Sequence, residues 1–165
     1  MKSTFRRAHS QRGLTTIDLL IGFAGIIILI ISIMLIAGMV RSQMGVMQAT
    51  AEMGLINSAA TNWKGMRPNY TGISMGNLCS SGELNDSICG TSSDGSSSNP
   101  FGGNFTVAVD TNVSNYVVTL TNVPTDKITA LADKLAPTSL DQCSSATSCG
   151  SVQVSGTDLS VTYRG

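Results

Sequence analysis

The sequence predicts an α+β protein: a long N-terminal α-helix, a spine, whose C-terminal half packs on an antiparallel β-sheet head. Three observations carry this. Residues 19–40 form an uninterrupted apolar run, LLIGFAGIIILIISIMLIAGMV. Beyond it, Val46, Ala49, Met53, Ile56, Ala60 and Trp63 recur at steps of three and four, a single stripe along a helix. The C-terminal part holds two pairs of strand-like segments, each pair divided by turn residues.

The apolar run lacks charge and proline, and Ser32 is its one clearly polar member. As a helix it spans roughly 33 Å, close to the hydrocarbon thickness of a bilayer. Before it, residues 1–13 read MKSTFRRAHSQRG, with Lys2, Arg6, Arg7 and Arg12 and no acid. That bias keeps the N-terminus cytoplasmic and sends the rest across the membrane. The run exceeds the 7–15 residues of an ordinary secretory h-region, although small residues, Ala37 and Gly38, stand near its end.

The stripe that follows extends the helix to about Met66, where Gly65, Pro68 and Asn69 end it. Residues 14–40 are therefore its hydrophobic half and residues 41–67 its amphipathic half. Gly22, Gly25, Gly38, Gly45 and Gly54 interrupt it, each at about 1 kcal/mol relative to Ala. Gly38 and Gly45 flank the membrane edge, so replacing either with Ala is expected to stiffen the rod.

Residues 68–165 form the head. Residues 70–100 are rich in Gly, Ser and Asn and read as a surface loop with at most a short helix. Asn99 to Gly103, NPFGG, is a tight turn into a strand. Residues 105–109 (FTVAV) and 116–121 (YVVTLT) flank a turn-rich stretch and predict a hairpin. Residues 124–136 predict a helix: Ile128, Leu131, Ala132 and Leu135 share a face, Pro124 suits the first turn and Pro137 follows the end. Residues 152–155 and 159–163 predict a second hairpin around Gly156.

Composition narrows the function. Charged residues are 12% of the chain, against about 25% in an average soluble domain. Ten basic and ten acidic residues balance, which argues against nucleic-acid binding. The single histidine, His9, lies in the basic leader, so nothing beyond it completes a Ser/His/Asp or Cys/His nucleophilic set. Phosphate-binding glycine motifs are lacking. The acids are scattered, with Glu83/Asp86 and Asp126/Asp133 the nearest groupings, and read as solvated surface. No enzyme activity, cofactor or metal is expected. The four cysteines, Cys79, Cys89, Cys143 and Cys149, form no C-x-x-C pair, and across a membrane they favour disulfides. Of three possible pairings, Cys79–Cys89 with Cys143–Cys149 is preferred because both are local.

At the junction, Gly13 is followed by Leu14, Thr15, Thr16, Ile17 and the carboxylate Asp18, then the apolar run. A basic leader, a glycine, a hydrophobic residue, two small polar residues, an apolar residue and a carboxylate resemble the class III signal of type IV pilins. The non-Phe residue Leu14 and the NPFGG turn resemble the type IVb branch. The resemblance implies a prepilin peptidase that cuts after Gly13 and N-methylates Leu14. It implies assembly by bundling of N-terminal helices, with Asp18 answering the terminal amine of a neighbouring copy. In the family the corresponding residue is usually Glu, one methylene longer. The implied partners are further copies of the chain, the peptidase, inner-membrane pilus assembly machinery and, before assembly, the membrane. The implied location is the bacterial inner membrane with a periplasmic head, then an extracellular pilus. A minor pilin or pseudopilin, priming assembly, adhesion or secretion, is the alternative. The family's long disulfide-bounded surface region suggests the other cysteine pairing, early loop to C-terminal region.

Overall fold

The computed structural model describes the backbone of residues 16–165, and side chains except those before residue 20 and at residues 35–42. It contains helix α1 (Thr16–Lys64), short helices α2 (Met75–Ser80) and α3 (Asp86–Cys89), strands β1 (Phe105–Val109) and β2 (Asn115–Leu120), helix α4 (Thr125–Leu135), two 3-10 turns, and strands β3 (Val152–Ser155) and β4 (Asp158–Arg164). The chain divides into two compact units, Met1–Arg41 and Ser42–Gly165.

In the first unit α1 carries residues 20–34 with every side chain exposed. The Ser32 hydroxyl is satisfied by the Ile28 carbonyl at 2.8 Å, one turn back. Among the described residues no helix is long and apolar enough to cross a membrane. Residues 20–34 alone are short of the roughly 20 residues that a span needs.

The second unit is an α+β head. On its part of α1, the stripe residues Val46, Ala49, Met53, Ile56 and Ala60 are buried, as is Ala59 beside them. Trp63, the last of the stripe, is only half-buried. The helix stops at Lys64, slightly before the expected end, because Gly65 takes φ +43° and turns the chain.

The sheet is antiparallel with order β1-β2-β4-β3. Each predicted hairpin forms, and β2 and β4 join them through the register Asn115↔Arg164 to Leu120↔Leu159. Alternation along β4 puts Leu159, Val161 and Tyr163 inward. From β1 and β2, Phe105, Val107, Tyr116, Val118 and Leu120 join the same core as the α1 stripe. The Tyr116 hydroxyl donates to the side chain and backbone carbonyl of Asn57, tying sheet to helix. Tyr116 also packs between Tyr70 and Tyr163, with ring centroids 4.6 and 5.7 Å away. α4 buries Ile128, Leu131, Ala132 and Leu135, as its period requires.

The stretch at 70–100 departs from the expected surface loop. It holds two short helices, capped by the Ser74 side chain on Asn77 N–H and the Asn85 side chain on Ile88 N–H. Tyr70, Ile73, Met75, Leu78, Leu84 and Ile88 are buried in the core. The polar composition obscures these apolar anchors, which are spaced irregularly rather than with one period.

Candidate functional site

Gly13 and Leu14, the predicted cleavage and methylation positions, lie outside the described residues. Asp18 lies within α1, and its side chain is outside them. What is described of the apolar half is its chemistry: the large side chains Leu20, Ile21, Phe23, Ile26, Ile27, Ile28, and onward to Met34, are about half or more exposed. Burying one such side chain is worth about 1.5–3 kcal/mol. Gly22 and Gly25 have no atom within 4 Å of where a side chain would sit. Residues 20–34 thus present a continuous, largely apolar surface that nothing in the described chain covers.

In the head, the cysteines are joined locally, Cys79 to Cys89 and Cys143 to Cys149. Their Cα separations, 5.7 and 5.6 Å, suit a disulfide. The first bond ties α2 to α3. The second closes a loop fixed by two aspartates that the sequence alone assigns to solvated surface. Asp133 Oδ1 accepts from Ala146 N–H (2.9 Å) and the Ser145 hydroxyl (3.1 Å). Asp141 Oδ2 accepts from Ser151 N–H (2.9 Å), while the Ser151 hydroxyl accepts from Asp141 N–H (3.2 Å). Asp141, Cys143 and Cys149 have their potential ligand atoms within 4.8 Å of one another. Both sulfurs are in the disulfide and the carboxylate is engaged, so the cluster is structural in this state.

A third acid corrects the surface reading more sharply. Glu52 is buried on α1, 7% exposed, at three residues past Ala49 and four before Ile56. Its Oε1 accepts from Gln48 Nε2 at 2.8 Å, but Oε2 has no partner. Burial raises its pKa above the ordinary carboxylate value of 4.5, and the Gln48 bond offsets part of the rise. The signal is present in the sequence, because position 52 borders the apolar stripe. Burial likewise pushes the Tyr163 phenol up to about 12 and raises that of Tyr70. Both remain protonated near neutrality.

The NPFGG turn is a hub. The Asn99 carboxamide donates to the carbonyls of Thr121 (2.8 Å) and Asn104 (3.2 Å) and accepts from the N–H groups of Phe101 (2.9 Å) and Gly103 (3.0 Å). All four of its bonding positions are filled. At Gly103 an added side chain would collide with the Thr121 carbonyl, so the backbones can meet only over glycine. The turn presents Phe101 to α1, where a Cβ on Gly45 would lie 3.0 Å from the ring. Gly45 therefore makes room for an aromatic side chain. Gly38 lies outside the described side chains.

The head is thus a four-stranded antiparallel sheet packed on the C-terminal part of α1, with its cysteines joined in two local loops. The chain belongs to the PilS N-terminal family, which matches residues 46–162, well over half its length. This is a type IV pilin-like family, so the protein is pilin-related, and membership points to self-assembly into an extracellular pilus. The matched region begins at Val46 and so covers the head and not Gly13, Leu14 or Asp18. No match was found among curated proteins or among solved structures.

Proposed function

We propose that this chain is a structural subunit of a type IVb pilus. A prepilin peptidase cuts after Gly13 and methylates Leu14, and the subunit waits in the inner membrane with its head in the periplasm. Assembly machinery then moves it into a fibre in which residues 14–40 of neighbouring copies bundle together. The observation that carries this reading is the exposed apolar face of residues 20–34. Such a surface has two stable surroundings, lipid before assembly and like helices after it. In the dry bundle the Asp18 carboxylate is expensive unless paired, and the methylated but still basic amine of Leu14 on an adjacent copy neutralises it.

Mass spectrometry of the mature N-terminus is the primary test. The expected product begins with N-methyl-Leu14, and a mature protein that retains residues 1–13 would overturn the reading. Asp18→Ala should leave processing intact and abolish or sharply reduce sheared fibres, whereas Asp18→Glu should keep them. A bulky residue at position 13 should leave a full-length inner-membrane protein. The presence of Asp18 where pilins usually have Glu favours a second reading, a minor pilin or pseudopilin. Abundance separates the two: the major subunit dominates sheared fibres and a minor one is present in traces.

A further inference from the structure

The part of α1 that belongs to the head has a second side. Away from the buried stripe, Met44, Met47, Ala51, Leu55 and Ser58 follow one another at steps of three, four, four and three, and all are exposed. The large ones, Met44, Met47 and Leu55, are 60, 63 and 50% exposed. A helix that turns such a side to water ordinarily carries charge there. Here residues 42–63 contain one ionisable side chain, Glu52, and it is buried. The hydroxyls do not reach outward either. Ser58 donates to the Gly54 carbonyl (3.1 Å), and on the flank Thr50 and Thr61 donate to the carbonyls of Val46 (2.8 Å) and Asn57 (3.0 Å). Each is satisfied one turn back, as Ser32 is among the exposed apolar residues 20–34. On the other flank Gln48 spends an amide N–H on Glu52.

Such a face gives up few hydrogen bonds when water leaves it and gains by apolar contact. Its shape admits another helix. Beside Ala51 stands Gly54, which has no atom within 4 Å of where a side chain would sit, so a neighbour can approach the backbone closely there. Met44 and Met47 are unbranched and adapt to whatever packs on them. Lipid is a poor occupant: residues 19–40 already match the roughly 30 Å of hydrocarbon, and Arg41, which follows them, belongs at the headgroups. The chain itself holds a surface of matching chemistry, the uncharged and uncovered side chains of residues 20–34. They lie on the same helix, and a helix cannot fold one part of itself onto another. The match therefore calls for a second copy, and membership in a pilin-like family points to self-assembly.

We propose that the face formed by Met44, Met47, Ala51, Leu55 and Ser58 receives residues 20–34 of a second copy, so that the apolar half of one α1 lies along the head-bearing half of another. The proposal rests on the pilus reading and carries the packed surface past residue 40. The experiment places the photoreactive residue p-benzoylphenylalanine at position 47, at position 55 or, for reference, at position 153, which is exposed on β3. Sheared fibres from the producing cells are irradiated and the joined tryptic peptides are identified by mass spectrometry. Positions 47 and 55 should join the peptide of another copy that contains residues 20–34, and position 153 should not. Met47→Glu and Leu55→Glu put a charge into the contact and should each lower the yield of sheared fibres about tenfold or more. Both positions are exposed in the single copy, so the thermal melt of the detergent-solubilised chain should stay that of the parent. Fibres in which neither position joins that peptide, or parental fibre yields from both glutamate variants, would overturn this contact and leave the pilus reading standing. A parent chain that retains residues 1–13 and yields no fibres would overturn both.

Discussion

Residues 20–34 and residues 43–64 belong to one helix and have opposite fates. In the first stretch apolar residues occupy every face and all are exposed. In the second they are confined mainly to one stripe, and that stripe is almost completely buried under the head's own sheet. The backbone is helical in both, so the difference lies in how much apolar surface each stretch offers and whether this chain can cover it. A stripe is a request for one partner, met here within the chain. An all-round apolar helix asks for a whole environment, which a single copy does not contain.

The largest effect should come from truncating one residue in each stretch. Ile56 is fully buried, and Ile56→Ala should destabilise the head by about 2–5 kcal/mol in denaturant titration. Ile28 is 66% exposed, and Ile28→Ala should leave the same titration within about 0.5 kcal/mol of the parent. Equal losses would erase the distinction.

Next in size are the cross-links, which act on the head and not on residues 20–34. The chain-entropy relation gives about 2.8 kcal/mol for Cys79–Cys89, with its separation of 10, and about 2.4 kcal/mol for Cys143–Cys149, with its separation of 6. Replacing each pair with serines should lower head stability in that order. Non-reducing peptide maps should show the two local links in the parent. A link from Cys79 or Cys89 to the C-terminal pair would contradict the loops as they stand in the fold.

Glu52 sharpens the contrast by pH. Its pKa is raised in the folded head, so the folded state holds the proton more tightly than the unfolded chain. The stability from that proton is fully present below the ordinary value of 4.5 and is lost as pH rises through the raised one. Glu52→Gln cannot ionise. It should raise the melting temperature by a few degrees at neutral pH and leave it unchanged in acid. A melting-temperature gain that does not vary with pH would show that packing, and not charge, was relieved.

The smallest effects separate two glycines of α1. Gly54 has no atom within 4 Å of where a methyl group would sit, so Gly54→Ala should add about 0.5–1 kcal/mol from helix propensity alone. At Gly45 the Phe101 ring must yield, so Gly45→Ala should give less than that or destabilise. Thermal melts of both variants, side by side, decide the sign.

Much of the fold is legible in the sequence because period speaks plainly. Steps of three and four place the α1 stripe, alternation places β1 and β4, and prolines bracket α4. The 70–100 stretch misleads because serine and glycine dominate its composition, while its structure depends on a few apolar side chains such as Leu78 and Ile88 that reach a distant core. Asp133 and Asp141 mislead for a related reason. A carboxylate that accepts a backbone N–H from a loop ten or more residues away leaves no local pattern. Glu52 is the opposite case, since helical spacing alone puts it against the buried stripe. As for the site, the Gly13–Leu14–Asp18 arrangement is legible only as a linear motif.

The Asn99 hub bears on how such a subunit ages. Asparagine decays to aspartate when the next residue's backbone nitrogen attacks its side-chain carbonyl and closes a five-membered imide. At this position the next residue is Pro100, which has no N–H with which to begin that reaction. The carboxamide on which four bonds converge is therefore shielded from slow deamidation by its own neighbour, a durable choice for a protein that a cell makes once and cannot repair outside.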